Sequence, residues 1–257
     1  MIWLIPIGGK GLRTQQLGEF KPFIKIKNQK IITWLLFSIK PNVKPDDKFI
    51  FTTTEYFLKK YHVKEELGKT FDKLGLKNKF QILASKDILP GNSCSVYLAK
   101  TLLNTKEPVS VLCCDQFTDF QLPPEISPQT GYLTIGLDFG SSKGYVEIEK
   151  GLIQRFVEKE PISNFASNGI FIASSGKALI SALEKQFEDK AISINGEYCI
   201  GPAFNYLIKD GFKIYPLLTK VHYSLGSIPA INYFALSPTA DSLSETLSKG
   251  GKNVAGI

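Results

Sequence analysis

Short apolar runs alternate with segments of helical spacing along the first 115 residues. The apolar runs are rich in Ile, Leu, Val and Phe and end at glycine or polar residues, which predicts buried strands at 2–7, 47–54, 78–84 and 108–115. The segments between them predict helices at 31–40, 55–67 and 92–103. Strands that alternate with helices are typical of a parallel sheet with helices on both faces.

The pattern changes after residue 115, where alternation of apolar and polar positions predicts exposed-face strands. These strands are expected at 131–139, 144–150, 152–160, 168–174 and 211–218, with helices near 175–188 and 197–209. Lys150-Gly151 predicts a turn that joins two of the strands in a hairpin. Residues 235–257 are rich in Ser, Gly and Lys, so we expect one domain at 1–234 followed by a polar tail or docking segment.

Composition excludes general disorder, because 43% of the 257 residues are hydrophobic and 12% are aromatic. The net charge is +7, but the lysines are scattered without interleaved aromatic residues, so nucleic acid is not an expected partner. No apolar run approaches the roughly 18 residues of a membrane span, and a cytoplasmic protein is expected, with homo-oligomers left open. The cysteines show no metal-ligand spacing and predict buried thiols: Cys94, Cys113, Cys114 and Cys199.

The first predicted strand ends in the glycine-rich stretch GGKGLR, residues 8–13. Glycines let backbone N–H groups approach phosphate oxygens, because no Cβ intervenes. The stretch lacks the Gly-Lys-Ser/Thr of a Walker loop, and alone it is equally compatible with a tight turn. Arg13 strengthens the phosphate interpretation, since only two of the 31 basic residues are arginines and a guanidinium binds phosphate in a bidentate manner.

A carboxylate is expected near this turn. Asp115 follows the fourth predicted strand, and the carboxyl ends of parallel strands meet at one edge of a sheet, where ligands collect. The glycine turn and Asp115 are therefore predicted neighbours. Asp115 could alternatively cap the next segment. His62 and His222 are isolated in the sequence and are interpreted as structural. Arg155 is also interpreted as structural, through pairing with a carboxylate of the hairpin.

These stretches together resemble the sugar nucleotidyltransferase (nucleoside-diphosphate-sugar pyrophosphorylase) family. GGKGLR followed by Lys21-Pro22 resembles that family's phosphate-binding signature, and the resemblance continues to about residue 234. Further matching stretches, in the family's order, are LPGNSCSVYLAKTLL, VLCCDQF, GYVEIEKGLIQRFVEKEPIS, ASNGIFIA, NGEYCIGPAFNYLIKDG and SLGSIPAINYF.

The resemblance implies a Rossmann-like α/β fold: a mixed, mainly parallel central sheet flanked by helices, of GT-A-like nucleotidyltransferase type, with a small β-hairpin acceptor-binding subregion. It implies Mg²⁺-dependent transfer from an NTP to a phosphorylated sugar or similar phosphoester, for capsule or surface polysaccharide. Arg13, Lys21 and Asp115 would be catalytic, with Asp115 as the metal ligand. The implied nucleotide-binding residues add Gly8, Gly9, Gly11, Gly91 and Asn92, and the implied acceptor-binding residues are Gly144, Glu158, Lys159 and Gly169.

Two positions depart from the family pattern. Leu12 stands where a hydroxyl side chain is usual, and Ser224 stands where many members have a second metal-binding aspartate. A serine hydroxyl is a poor Mg²⁺ ligand beside a carboxylate. Two alternatives therefore stay open, a glycosyltransferase that binds a nucleotide sugar and a catalytically weak nucleotide-binding regulator. CDQF lacks the D-x-D pattern, which disfavours the glycosyltransferase.

Overall fold

A computed structural model describes residues 1–193 and 196–248. Its strands are β1 (Ile2–Pro6), β2 (Lys25–Ile26), β3 (Gln29–Lys30), β4 (Lys48–Thr54), β5 (Phe80–Ser85), β6 (Val109–Leu112), β7 (Gln116–Asp119), β8 (Thr130–Leu137), β9 (Gly144–Glu149), β10 (Leu152–Glu158), β11 (Phe165–Ala173), β12 (Lys213–Leu218) and β13 (Val221–Ser224). Its helices are α1 (Ile31–Ile39), α2 (Glu55–Lys60), α3 (Val63–Leu74), α4 (Asn92–Tyr97), α5 (Lys100–Leu103), α6 (Gly176–Glu188), α7 (Ile200–Lys209), α8 (Ile228–Ala235) and α9 (Pro238–Ser248).

The central sheet has nine strands within the described residues, in the order β5-β4-β1-β6-β11-β8-β12-β10-β9. The first four strands run parallel, as the alternation of strands and helices predicts. The expectation of a mainly parallel sheet is wrong for the whole, because only four strand pairs are parallel and five are antiparallel. β11 causes the change, since it lies antiparallel between β6 and β8.

The β9–β10 hairpin forms at the predicted position, with Gly144 opposite Glu158 at its open end. β9 also pairs with β11 through Tyr145 and Ala166, so the strand pairings from β11 through β8, β12, β10 and β9 close on themselves. This closure holds the end of the hairpin beside the end of β6. The hairpin is therefore fixed next to Asp115.

Helices cover both faces of the sheet and bury two apolar clusters. All nine residues of α1 are buried, and Trp34 belongs to the cluster on one face together with Trp3 and Phe51. The other cluster joins Phe204 of α7 to Leu4 and to Phe156 of the hairpin. A helix buried all round needs no polar face, which explains why seven of the nine residues of α1 are apolar.

Two predicted helices are divided in the structure, and one predicted strand is shorter than expected. The helix expected at 55–67 breaks at His62, whose φ of 47° ends one helix and starts α3, and the helix expected at 92–103 divides into α4 and α5. The strand expected to run to residue 115 ends at Leu112, and the chain turns into β7. β7 pairs with β13, a strand that the sequence did not predict, and this small sheet lies at the end of β6.

The segment after residue 234 contributes α9, whose apolar residues join the core. Ala240, Leu243 and Leu247 are buried in the cluster that contains Trp34. The proposed domain boundary at residue 234 falls inside α8, and residues 249–257 of the predicted tail lie outside the described residues. No helix in the described parts of the chain combines the length and the apolar character needed to cross a bilayer.

The docking of α9 predicts that Leu243→Ala destabilises the protein by about 2–4 kcal/mol, because it removes a buried side chain and leaves a cavity. Leu236→Ala is the matched control, since Leu236 is 82% exposed while Leu243 is 8% exposed. The control should change the free energy of unfolding by less than about 0.5 kcal/mol. Urea denaturation followed by circular dichroism measures both values, and equal values for the two variants would contradict the docked helix.

Candidate active site

A cavity of about 480 Å³ lies at the carboxyl ends of β1 and β6. Its wall brings together the predicted phosphate-binding turn and the predicted metal ligand, which are about a hundred residues apart in sequence. Seven of the predicted site residues line it: Gly8, Gly9, Arg13, Lys21, Gly91, Asn92 and Asp115. The prediction that the glycine turn and Asp115 are neighbours is confirmed.

The glycine turn is shaped by two close approaches of the main chain. A Cβ added at Gly8 would lie 2.9 Å from Thr53 Cα. Only glycine therefore allows the chain after β1 to pass this close to the backbone of β4. Gly11 has a φ of 60° and precedes a 3₁₀ turn at Leu12–Thr14, which carries Arg13. A Cβ at Gly9 would meet no atom within 4 Å. The turn therefore leaves open space above Gly9, and Leu12 points its side chain to solvent.

Lys21 and Asp115 form an ion pair across the cavity, with 2.9 Å between Lys21 Nζ and Asp115 Oδ2. Burial disfavours the Asp115 carboxylate, but the ion pair with Lys21 and the nearby Arg13 outweigh it and hold its pKa below the ordinary value. Burial likewise lowers the pKa of Lys21, and Asp115 outweighs that effect and raises it. Both groups are therefore charged at neutral pH.

The two residues predicted near the base have structural partners. Gly91 has a φ of 109°, and an added Cβ would lie 2.3 Å from the carbonyl oxygen of Tyr198, so the Tyr198 main chain already explains this glycine. Asn92 Oδ1 accepts a hydrogen bond of 2.8 Å from Ile200 N at the start of α7. Both residues join α4 to α7, and these contacts form the wall of the cavity on that side.

The predicted acceptor residues lie next to this cavity rather than on its wall. The Glu158 carboxyl lies against Gly144, where an added Cβ would be 3.0 Å from Glu158 Oε2 and 2.0 Å from the Phe156 ring. Burial raises the pKa of Glu158, and the charge of Glu197 raises it further while Lys159 opposes both. The Lys159 backbone has a φ of 59° and donates to the Lys143 carbonyl.

Gly169, the fourth predicted acceptor residue, is packed against Gln116. Its φ is 81°, and an added Cβ would lie 3.1 Å from Gln116 Nε2. Gln116 Nε2 donates to the carbonyl oxygens of Cys113 and Gly169, at 3.1 and 2.9 Å, so Oε1 accepts from the Thr118 hydroxyl. That hydroxyl must then accept from His222, which fixes a proton on His222 Nδ1.

His222 is neutral at physiological pH, because burial lowers its pKa to about 4. A neutral histidine with a defined tautomer holds Thr118, and Thr118 in turn orients Gln116. The structural interpretation of His222 therefore agrees with these contacts. Sequence reasoning missed Gln116, although its position directly after Asp115 was a usable signal.

Other wall residues were not singled out from the sequence as ligand-binding groups. Three cysteines contribute to the wall, and burial raises the pKa of Cys199 to about 11 and that of Cys114 to about 12. Such thiols stay protonated. All four cysteines are only partly buried, so the prediction of buried thiols is wrong. Glu197, Lys10 and Ser95 also line the cavity. Glu197 is the one with a clear electrostatic consequence, since it acts on Glu158.

Within the described ranges 1–193 and 196–248, no three His, Cys, Asp or Glu side chains come together as a preformed metal site. Asp115 is the carboxylate beside the glycine turn, while Ser224 lies at the end of β13 and accepts a 3.4 Å hydrogen bond from Gly226 N. Any divalent cation held here would take one carboxylate from the protein and its other ligands from phosphate and water.

Comparison with known proteins gives matches in structure only, since no family model and no curated protein sequence matches the chain. A nucleoside-diphosphate-sugar pyrophosphorylase from Vibrio cholerae RC9 has a TM-score of 0.72 at 19% identity, over 92% of this chain and 100% of that one. The inositol-1-phosphate CTP transferase from T. maritima scores 0.70 at 15% identity, over 99% and 98%. A UDP-glucose pyrophosphorylase in complex with UDP-glucose scores 0.69 at 18% identity, over 94% and 98%.

The chain therefore has a sugar nucleotidyltransferase fold, as the sequence resemblance implies. The likeness extends over 92–99% of this chain and 98–100% of the other chains, so it concerns the fold of nearly the whole chain. At 15–19% identity, the structural similarity establishes the fold alone. The reaction depends on the residues of this cavity.

The ion pair predicts that Lys21→Met destabilises the protein by about 2 kcal/mol at pH 7, because Asp115 is left buried without its partner. Asp115 has a depressed folded pKa, so its stabilisation is present above the unfolded pKa and is lost as pH falls through the folded value. The difference between wild type and variant should therefore shrink below about pH 4.

Urea unfolding at a series of pH values measures this difference. Lys48→Met is the control, because the Lys48–Glu107 pair is 58% and 42% exposed and should contribute less than about 0.5 kcal/mol. A loss for Lys21→Met that is independent of pH down to pH 3 would show that the 2.9 Å contact is not an ion pair that stabilises the fold.

Proposed function

We propose that this protein is a Mg²⁺-dependent nucleotidyltransferase that joins an NTP to a sugar phosphate, or to another small phosphomonoester, and releases pyrophosphate. One observation carries the proposal: a single cavity of about 480 Å³ unites the open glycine turn, three cationic side chains and two carboxylates, of which Lys21 and Asp115 form an ion pair. Nucleotidyl transfer depends mainly on positioning and on neutralising phosphate charge, and these residue types supply both.

The triphosphate would lie over the turn. The space above Gly9 admits phosphate oxygens to the backbone N–H groups, and Arg13 lines the same wall. Arg13 would hold the β- and γ-phosphates in a bidentate manner. Lys21 would bind the α-phosphate, where charge develops as the bond to the leaving group breaks. The base would lie toward Gly91 and Asn92, on the side of the cavity where α4 meets α7.

The donor set fits Mg²⁺ through Asp115. The carboxylate is ionised at neutral pH and faces a cavity shaped for phosphates, and Mg²⁺ commonly takes one or two carboxylates together with substrate phosphates and water. Asp115 would hold the ion, which when bound would supply positive charge that neutralises part of the phosphate charge. Ser224 adds no carboxylate, so Asp115 would be the protein's anionic ligand.

The acceptor would lie on the side of Glu158 and Lys159. The Glu158 side chain accepts no hydrogen bond within the described residues, so its oxygens are available to accept from acceptor hydroxyl groups. Lys159 would pair with the acceptor phosphate. Gly144 and Gly169 shape this side indirectly, since they allow the close packing of Glu158 and Gln116.

The reaction follows from this placement. An oxygen of the acceptor phosphate forms a bond to the α-phosphorus, and the bond from that phosphorus to the α–β bridging oxygen breaks. The bridging oxygen leaves with the electron pair as part of pyrophosphate. Arg13 and Lys21 would stabilise the charge on the pyrophosphate that leaves and on the α-phosphate of the transferred nucleotidyl group. The activated product would serve capsule or surface polysaccharide synthesis in the cytoplasm, where NTPs are available.

A second candidate is a nucleotide-binding regulator with weak or no catalysis. Ser224 favours it, because the serine removes a carboxylate from the position where many proteins of this fold would hold the metal. The nucleotide-sugar glycosyltransferase is less well supported, since it does not need the cluster of Gly9, Arg13 and Lys21 that binds a triphosphate.

The three functions differ in what the protein consumes. We expect pyrophosphate when the protein is incubated with Mg²⁺, each NTP in turn, and a panel of sugar 1-phosphates and other phosphomonoesters. Asp115→Asn should reduce turnover by about two orders of magnitude, because it removes the charged ligand. NTP binding without pyrophosphate would instead support the regulator, and consumption of an NDP-sugar would support the glycosyltransferase.

Gly9→Ala provides a sharper test of the phosphate position. The added methyl group meets no protein atom within 4 Å, so it should leave the fold intact, but it would occupy the space proposed for the triphosphate. We expect NTP affinity measured by calorimetry to fall about tenfold, which corresponds to roughly 1.4 kcal/mol. Gly68→Ala on α3 is the control, because its methyl group is equally unobstructed and lies outside the cavity. Equal NTP affinities for the two variants would place the phosphates elsewhere.

A further inference from the structure

Gly226 lies between β13 and α8, directly against the candidate metal ligand. A Cβ added there would be 2.8 Å from Asp115 Oδ2 and 3.4 Å from Arg13 Nη2. The distance to Asp115 is shorter than an unstrained contact between carbon and oxygen, while the distance to Arg13 is at the lower edge of ordinary van der Waals contact. Because Gly226 has no side chain, the space beside it is open to the Asp115 carboxylate and the Arg13 guanidinium.

The neighbouring residue fixes the main chain of Asp115. Leu225 N donates a 2.8 Å hydrogen bond to the Asp115 carbonyl oxygen, and the Leu225 side chain is fully buried. Ser224 pairs with Gln116 in the small sheet, so the segment 224–226 follows residues 115–116 closely. The segment 224–226 thus contributes to the position of Asp115 in addition to Lys21.

Backbone conformation does not explain the glycine at this position. Gly226 is absent from the residues with positive φ, unlike Gly91 and Gly169, so an alanine can adopt its backbone angles. The obstructing atoms also belong to side-chain ends rather than to backbone. Substitution by alanine should therefore move the Asp115 carboxylate and leave the fold in place.

We infer that Gly226 is a positioning residue for the nucleotidyl transfer proposed above, on which this inference rests. Its lack of a Cβ holds the Asp115 carboxylate within 2.9 Å of Lys21 and beside Arg13, so that all three groups face one phosphate chain. A methyl group at residue 226 displaces the carboxylate and separates the metal ligand from the phosphate-binding cations.

The test is Gly226→Ala, with Gly68→Ala as the control for a glycine that has free space around it. We expect a crystal structure in which the Lys21–Asp115 contact is lost, and a loss of thermal stability no larger than that of Lys21→Met. The Mg²⁺ concentration that gives half-maximal turnover should rise 10- to 100-fold, as for other residues that orient metal ligands. The KM for the acceptor should not change, whereas a general loss of structure would change both.

A variant that keeps the wild-type Asp115 position and the wild-type Mg²⁺ dependence overturns the inference. The proposed function fails separately, when wild-type protein releases no pyrophosphate with any NTP and acceptor. In that case calorimetry of NTP binding with and without Mg²⁺ still decides the role of Gly226. If Mg²⁺ increases the NTP affinity of Gly226→Ala less than that of the wild type, the result supports the positioning role. If the increase is the same in both proteins, the result contradicts that role.

Discussion

The ion pair of Lys21 with Asp115 connects two parts of the chain that are 94 residues apart, and the candidate active site is organised around it. Each charge would be costly to bury alone, and together they keep one another ionised inside a partly enclosed cavity. Arg13 adds a second cation on the same side. The result is a carboxylate between positive groups, an arrangement suited to a ligand that brings both phosphate charge and a divalent cation.

Apolar runs in the sequence predict β1, β4 and β6 well, because these strands are buried on both faces and need continuous hydrophobic residues. The orientation of β11 was not predictable in this way, since a strand has the same pattern of residues in either direction. β7 and β13 were missed because they are short and polar, with Gln116, Thr118 and Ser224 among their residues. Their stability comes from pairing with each other and from tertiary contacts, which local patterns do not encode.

The residues that carry charge in the candidate site were easier to predict than the glycines. Arg13 lies in the turn after β1 and Asp115 follows β6, and the geometry of a parallel sheet brings such strand ends together. Lys21 was predicted only because its Lys-Pro pair resembles the family signature. Glycines are ambiguous, because one sequence signal covers both access for a ligand and close packing of the protein. Gly9 faces open space, whereas Gly91 and Gly169 give room to Tyr198 and Gln116. Only the three-dimensional contacts separate these two cases.

The contact of residues 225–226 with Asp115 has a consequence for biosynthesis. A chain that is still emerging from the ribosome acquires the glycine turn first and the aspartate about halfway through, but it lacks the segment that fixes the aspartate until residue 226 has left the exit tunnel. The nascent polypeptide can form the parallel strands early and still be unable to hold the Asp115 carboxylate in position beside Lys21 and Arg13. Competence for ligand thus arrives only after residue 226 has been made, when the strands that precede it have had time to assemble.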